Sequence, residues 1–312
     1  MIFFKPSFWD KRQISFYSII LFPLSLITQA INFLKSIVIN SNNFSIPIIC
    51  IGNIYLGGTG KTPFCVELHS ILQKLERSPV FIRKKHKSYI DEKRLLEKVG
   101  QVYEESNRSE ALKNAIKNNF KTAIMDDGFQ DFTVKKDFSI ICFNEKQWIG
   151  NGLVVPSGPL RESLNGLKRA NCVIINGKKN AYIENKILEK NSKIRIFYTK
   201  YISENINNFK NKKIICFAGI GNPENFFYLL KKNQINILEQ IKFPDHYNYS
   251  DKQLENLVQK AKKVNAILLT TEKDYLRISK KYIENFNFLK IKVEIENKNE
   301  FIENIKKLYE NF

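Results

Sequence analysis

The chain has 312 residues, 43% of them hydrophobic, with 50 Lys and Arg against 31 Asp and Glu for a formal net charge of +19 at pH 7. That apolar fraction excludes a disordered chain, and the length fits one large domain or two modest ones. The basic excess would attract nucleic acid, anionic membrane or acidic substrates, yet Lys, Asn and Ile saturate the whole sequence, so charge alone names no partner.

Residues 14–34 form the first element and are largely apolar, with Phe8 and Trp9 upstream, Lys11 and Arg12 just before and Lys35 after. Pro23, Thr28, Gln29 and Asn32 interrupt the run, which falls short of the roughly 20 predominantly apolar residues of a spanning helix. No small-residue cleavage site follows it, which disfavours a signal peptide. The pattern predicts an interfacial helix with aromatic and basic anchors. The alternative is a helix packed on the protein's own core.

An apolar run at 46–51 then reads as a buried strand, and Gly57-Gly58-Thr59-Gly60-Lys61-Thr62 follows as a phosphate-binding loop. Closely spaced glycines let backbone N–H groups turn toward a polyphosphate; the lysine reaches the β- and γ-phosphates and the threonine hydroxyl can hold Mg²⁺. The periodic segment Phe64, Cys65, Val66, Leu68, Ile71, Leu72 reads as the helix whose N-terminus receives the anion. The strict pattern asks for glycine where Tyr55 stands.

Further strands are expected at 79–83, 122–126, 139–143, 171–175, 213–218 and 266–271, with helices at 95–98 and 110–118. Strand and helix signals alternate, which predicts an α/β fold with a P-loop-type parallel sheet core. The Asn- and Lys-rich stretch 176–211 has little apolar periodicity beyond 194–201 and is expected to hold a junction. A compact βαβαβ unit begins beyond it, with Pro223 at a first helical position and Ser250 as a later N-cap. The expected domains are therefore residues 1–40, an N-terminal membrane-associated helix; 41–205, the P-loop core; and 206–312, a smaller α/β unit. Cys50, Cys65, Cys142, Cys172 and Cys216 stand singly without metal-ligand spacing, so buried, reduced thiols of a cytosolic compartment are expected.

Several segments carry chemistry. The strand at 122–126 ends in Asp126-Asp127-Gly128, where a nucleotide-binding sheet places its Mg²⁺ ligand, although the same tripeptide also makes an ordinary turn. Gly158-Pro159-Leu160-Arg161-Glu162 could present a cation and a carboxylate to phosphates and Mg²⁺, or be a connector with a solvated charge pair. His246, in Pro244-Asp245-His246, has a neighbouring acid and suits a proton relay. His69 reads as structural, and His86, among lysines, as solvated.

Together these motifs resemble the tetraacyldisaccharide 4′-kinases, the lipid A 4′-kinases of Gram-negative bacteria. The matching pieces run in family order from Gly52-Asn53 and the glycine loop through Asp126-Asp127-Gly128-Phe129-Gln130, Gly150-Asn151-Gly152 and Gly158-Pro159-Leu160-Arg161-Glu162. They continue with Ala218-Gly219-Ile220-Gly221-Asn222-Pro223, Phe243-Pro244-Asp245-His246 and Thr271-Glu272-Lys273-Asp274. The family's loop also lacks the first glycine, so Tyr55 is no departure from it. The resemblance implies an active site between two domains and transfer of the ATP γ-phosphoryl to the 4′-hydroxyl of an acylated glucosamine disaccharide 1-phosphate, giving lipid IVA. It implies nucleotide contacts from Tyr55, Leu56, Gly57, Gly58, Thr59, Gly60, Lys61, Thr62, Arg161 and Glu162, and Mg²⁺ contacts from Thr62, Asp126, Asp127 and Glu162. Lys61, Asp127, Asp91 and His246 take catalytic roles, Asp91 being aligned as the acid that accepts the sugar proton. Residues 84–89 depart from the family's Arg-Gly-Tyr continuation, and Asp131 stands where a histidine is usual. A monomer on the cytoplasmic face of the inner membrane, attached peripherally or monotopically to an anionic surface and binding no nucleic acid, is the implied setting. A partitioning-type ATPase would carry lysine at Leu56, and no helix-turn-helix, zinc module or aromatic sheet signature supports a nucleic-acid binder.

Overall fold

The computed structural model describes residues 5–85 and 90–312. His86 and positions 87–89 of the divergent segment lie outside the described residues. Helix α1 (Phe16–Val38) comes first, capped by Ser15, whose hydroxyl accepts from the Ser18 backbone N–H. Then follow β1 (Ile48–Gly52), α2 (Lys61–Lys74), β2 (Pro79–Lys84), α3 (Ile90–Glu97), β3 (Val102–Glu105), α4 (Arg108–Lys117) and β4 (Thr122–Asp126). β5 (Phe138–Asn144), β6 (Cys172–Asn176), α5 (Ala181–Leu188) and β7 (Arg195–Ser203) complete the first series. The second runs β8 (Ile214–Ala218), α6 (Pro223–Lys232), β9 (Ile237–Lys242), α7 (Asp251–Lys263), β10 (Ile267–Thr271), α8 (Glu272–Tyr275), β11 (Phe286–Leu289), β12 (Ile291–Ile295) and α9 (Lys298–Lys306).

Among the described residues the strands form two sheets, one ordered β12-β7-β6-β5-β1-β4-β2-β3 and one ordered β11-β10-β8-β9. Every neighbouring pair is parallel except β12 with β7. Strands β1, β4 and β5 are buried along their whole length, as apolar runs covered by helices on both faces must be. β1 lies between β4 and β5, and Ile51 pairs with Asp126, so the strand ends that carry the glycine loop and the acidic pair are neighbours. The five cysteines are free and buried. Ser250 and Gln253 form a full capping box at α7.

Every strand expected from the sequence is present, and β3, β7, β9, β11 and β12 are additional. Helix α3 begins earlier than the 95–98 segment expected, which puts Asp91 and Glu92 in its first turn. The expected 206–312 unit needs correction at its end. β12 pairs with β7, and α9 packs Phe301 edge-on against Phe64 and Phe197 at 5.7 and 5.3 Å. Residues 291–312 therefore return to the eight-stranded sheet, where a large apolar face of α2 still needs cover.

α1 is continuous through Pro23, and is long and apolar enough to cross a membrane, with a mean hydropathy of 1.6. It is not packed as a core helix: the residues it buries are Ser18 and Ser25, while Phe22, Leu26, Phe33 and Ile37 are exposed. Trp9, expected as an interfacial anchor, is instead buried and donates its indole N–H to the Pro156 carbonyl at 3.0 Å.

Candidate active site

The loop between β1 and α2 is held from both ends. Gly57 and Gly60 have φ of 134° and 91°, conformations that glycine adopts without a Cβ clash. The Asn53 amide donates to the carbonyls of Tyr55 and Gly57. At the start of α2, Lys61 Nζ lies 3.4 Å from Asp127 Oδ1. Arg161 grips the same carboxylate with two N–H groups, at 2.9 and 3.3 Å. Burial pushes the Asp127 carboxyl up, and Lys61 and Arg161 outweigh it, holding the group below the usual aspartate value. Asp126 behaves oppositely. It is fully enclosed, 3.5 Å from Arg83 Nε, and burial raises its pKa with Arg83 only partly opposing.

Across the loop stands a wall from the second series. Gly221 approaches so closely that a Cβ there would lie 2.6 Å from the Gly58 nitrogen. The 219–223 turn is fixed by Asp274, whose carboxylate accepts from the Gly219 N–H at 3.0 and 3.1 Å and from the Tyr249 hydroxyl at 2.6 Å. His246, with φ of 54°, places Nδ1 3.2 Å from Asp91 Oδ1, and Arg277 Nε lies 3.7 Å from the other Asp91 oxygen. Burial raises the Asp91 carboxyl, but the His246 hydrogen bond, Lys273 and Arg277 together bring it below the ordinary value. Glu92 bridges Lys273 Nζ at 2.8 Å and Arg83 Nη2 at 3.0 Å, and Lys273 Nζ also lies 3.3 Å from Thr62 Oγ1. Burial opposes the Glu92 charge, yet Lys273 and Arg83 overcome it and hold the carboxyl well below its usual range.

Lys61, Asp127, Arg161, Asp91, Glu92, His246, Lys273 and Arg277 line a cleft of about 1600 Å³ between the two sheets. The structure brings together Leu56, Gly57, Gly58, Thr59, Gly60, Lys61, Thr62, Asp127, Arg161, Asp91 and His246 there. Tyr55, Asp126 and Glu162 are not in its lining. The Tyr55 ring is buried behind the loop with its hydroxyl donating to Asp10 at 2.5 Å. Glu162 accepts from Gln130 at 2.9 Å and from Arg169 at 2.7 Å. His69, read as structural, is buried and stacked on Phe81 at 4.8 Å. The sequence reading gave no role to Glu92, Lys273, Arg277 or Asp274. Their signals were the acidic neighbour of Asp91 and the Thr271-Glu272-Lys273-Asp274 motif, but partners on other elements appear only in the fold.

A glycine loop opening a helix, a carboxylate and arginine at its mouth, and an acid–histidine pair on the opposite wall define a P-loop phosphotransferase. The family model described as tetraacyldisaccharide-1-P 4′-kinase matches residues 17–310, and the chain belongs to that family. A tetraacyldisaccharide 4′-kinase of Pelagibacter ubique is 41% identical over 309 residues, covering 98% of each chain. One from Rickettsia bellii is 36% identical over 290 residues, covering 88% of this chain and 89% of the relative. The crystal structure of LpxK from Aquifex aeolicus in complex with ATP superposes with a TM-score of 0.71 at 23% identity, over 93% of this chain and 99% of that one, a likeness of fold.

Proposed function

We propose that this cleft transfers the γ-phosphoryl group of ATP to the 4′-hydroxyl of tetraacyldisaccharide 1-phosphate, forming lipid IVA, with the two substrates meeting between Lys61 and His246. The observation that carries the reading is the Asp91–His246 pair, 3.2 Å apart and supplied by opposite walls, in one cleft with the phosphate loop.

Phosphoryl transfer asks mainly for positioning and charge neutralisation. Lys61 and the N–H groups of 57–62 receive the β- and γ-phosphates, and Arg161 adds a planar cation beside Asp127. Asp91 and His246 handle the single proton that leaves the sugar hydroxyl. A carboxylate held below its ordinary pKa is a weak base, and the His246 imidazole hydrogen-bonded to it gives the proton a second group to share it. Lys273 neutralises Glu92 and carries positive charge from the second series to the Thr62 hydroxyl.

Mg²⁺ fits the donor set. Thr62, Asp127 and Glu92 offer hard oxygens, and the Thr62 hydroxyl already meets a cation in the Lys273 ammonium. Among the described residues no three His, Cys, Asp or Glu side chains form a closed cage, which suits an ion that keeps waters and shares phosphate oxygens. Bound there, Mg²⁺ would neutralise charge between the β- and γ-phosphates. Asp126 acts behind Asp127, and Glu162 acts by fixing Gln130 and Arg169 rather than through the ligands.

The enzyme works as a monomer, since one chain supplies both walls, at the cytoplasmic face of the inner membrane where ATP is available. The exposed apolar surface of α1 and its flanks Lys11, Arg12 and Lys35 support attachment to an anionic bilayer that carries the acylated substrate. Two units make up the globular part, 41–203 with 291–312 and 206–289. The test is incubation of the full chain with ATP and tetraacyldisaccharide 1-phosphate. A lipid product heavier by one phosphate is expected. Asp91→Asn and His246→Ala should each reduce turnover far more than ATP affinity, with the double variant less than additive. Additive losses, or near wild-type turnover in both single variants, would remove the pair from the chemistry.

A further inference from the structure

Helix α1 meets the rest of the protein through polar side chains at every seventh position, Ser18, Ser25 and Asn32. Ser18 Oγ accepts from the Asn151 amide at 3.1 Å. Ser25 Oγ donates to the Val154 carbonyl at 2.7 Å and accepts from the Ser157 N–H at 3.1 Å. The Asn32 amide donates to the Arg161 carbonyl at 3.0 Å. All these partners lie on one segment, 151–161.

The other edge of that segment is bonded to the phosphate loop. Tyr55 pairs with Leu160 as an antiparallel bridge, the Leu56 N–H donates to the Pro159 carbonyl at 2.7 Å, and the Arg161 N–H donates to the Ile54 carbonyl at 2.7 Å. Arg161 is therefore fixed on both sides of its backbone, by Ile54 through its N–H and by Asn32 through its carbonyl. Its guanidinium then closes on Asp127 at the mouth of the cleft.

We infer that Asn32, with Ser25, is a positioning residue for phosphoryl transfer: the helix that faces lipid sets Arg161, and through it Asp127, by holding segment 151–161 against the phosphate loop. The inference rests on the reading of Arg161 and Asp127 as phosphate-site groups. The physical ground is leverage. A guanidinium stands at the end of a long flexible stem, so a small rotation of its backbone carbonyl displaces the fork, and misplacement of about 1 Å can cost on the order of 10²-fold in rate. The seam also suits its surroundings. In hydrocarbon a side-chain hydroxyl or amide has no water to return to, which favours the bonded arrangement.

The test uses the full chain in vesicles of phosphatidylethanolamine and phosphatidylglycerol, with Asn32→Leu, Ser25→Ala, Arg161→Ala and the two doubles that include Arg161→Ala. Asn32→Leu keeps an apolar helix. It should stay with the vesicles, lose roughly three- to tenfold in kcat, the range spanned by one net hydrogen bond, and leave the KM for lipid nearly unchanged. Ser25→Ala should follow in the same direction. Each double should be no slower than Arg161→Ala alone, because the seam acts through that arginine. A kcat for Asn32→Leu indistinguishable from wild type, multiplicative losses in the doubles, or release from vesicles as the cause of the loss would each overturn the inference. Near wild-type kcat in Arg161→Ala would overturn the reading of Arg161 first and the inference with it. Should Asn32→Leu fail to fold, Ser25→Ala with its double decides by the same criteria.

Discussion

Helices α1 and α2 draw on similar apolar residues and turn them in opposite directions. α2 buries Phe64, Cys65, Leu68, Ile71 and Leu72 against the eight-stranded sheet. α1 buries Ser18 and Ser25 and leaves its isoleucines, its phenylalanines and all its leucines but the half-buried Leu21 outside. For α2 the outside is water, and each fully buried large aliphatic side chain contributes about 1.5–3 kcal/mol. For α1 the same arithmetic fails, since its apolar residues gain nothing from the rest of the chain. On the proposed reading of membrane attachment, lipid would supply the cover they lack.

Substitutions can break that contrast, and the largest expected effect lies at the head of α2. Lys61→Ala should lower kcat by about 10²–10³-fold, or about 3–4 kcal/mol of transition-state stabilisation. More than half the wild-type turnover would show that the loop is not the catalytic phosphate site. Next comes the buried face: Leu68→Ala should destabilise the fold by about 2–5 kcal/mol in denaturant titration, because its side chain is fully enclosed.

Deleting residues 1–36 sharpens the comparison from the other side. The truncated chain should leave the membrane fraction while retaining ATP binding by calorimetry, since interfacial attachment scales with apolar area and basic flanks. Unfolding on truncation would mean that α1 belongs to the core after all.

Acid should discriminate the cleft from both helices. Asp91 and Glu92 have folded pKa values below their ordinary 3.8 and 4.5. Their stabilisation is complete above those ordinary values and is lost as pH falls through the depressed ones. Asp126, shifted upward, works in the reverse sense. Thermal stability should therefore decline as pH drops below 4.5, and Glu92→Gln should flatten part of that decline. The smallest effect is expected at Leu26→Ala on α1, within about 0.5 kcal/mol for the protein in solution, because that side chain is exposed.

What the sequence made legible follows the same division between interior and edge. β1, β4, β5, β6, β8 and β10 were readable because strands covered on both faces are written as unbroken apolar runs. Of the strands missed, β3, β9, β11 and β12 are the four outer edges of the two sheets, where half-exposed side chains leave little pattern, and β7, beside the edge strand β12, lies in the Asn- and Lys-rich stretch read as a junction. The glycine loop was readable because its chemistry is contiguous. Asp91 and His246 are 155 positions apart, and only the family resemblance suggested that they meet. Asn32 was visible as a blemish in an apolar run. Its spacing from Ser25 and Ser18 carried the more useful information, a face for docking.

The return of β12 to the eight-stranded sheet means that the second unit is entered and left side by side. The chain crosses once after Ser203 and again after Leu289. The crossings are stitched together: the Glu204 N–H donates to the Lys290 carbonyl at 3.0 Å, the Lys290 N–H to the Asn205 side chain at 2.9 Å, and the Lys290 ammonium pairs with Glu204 at 2.8 Å. A double crossing of this kind ties the two units along one line. Two tethers side by side resist sliding of one unit past the other more than a single linker would, which favours the register in which Asp91 faces His246. The double crossing also makes the molecule tolerant of damage, because a single cut at either crossing leaves both pieces tied through the other.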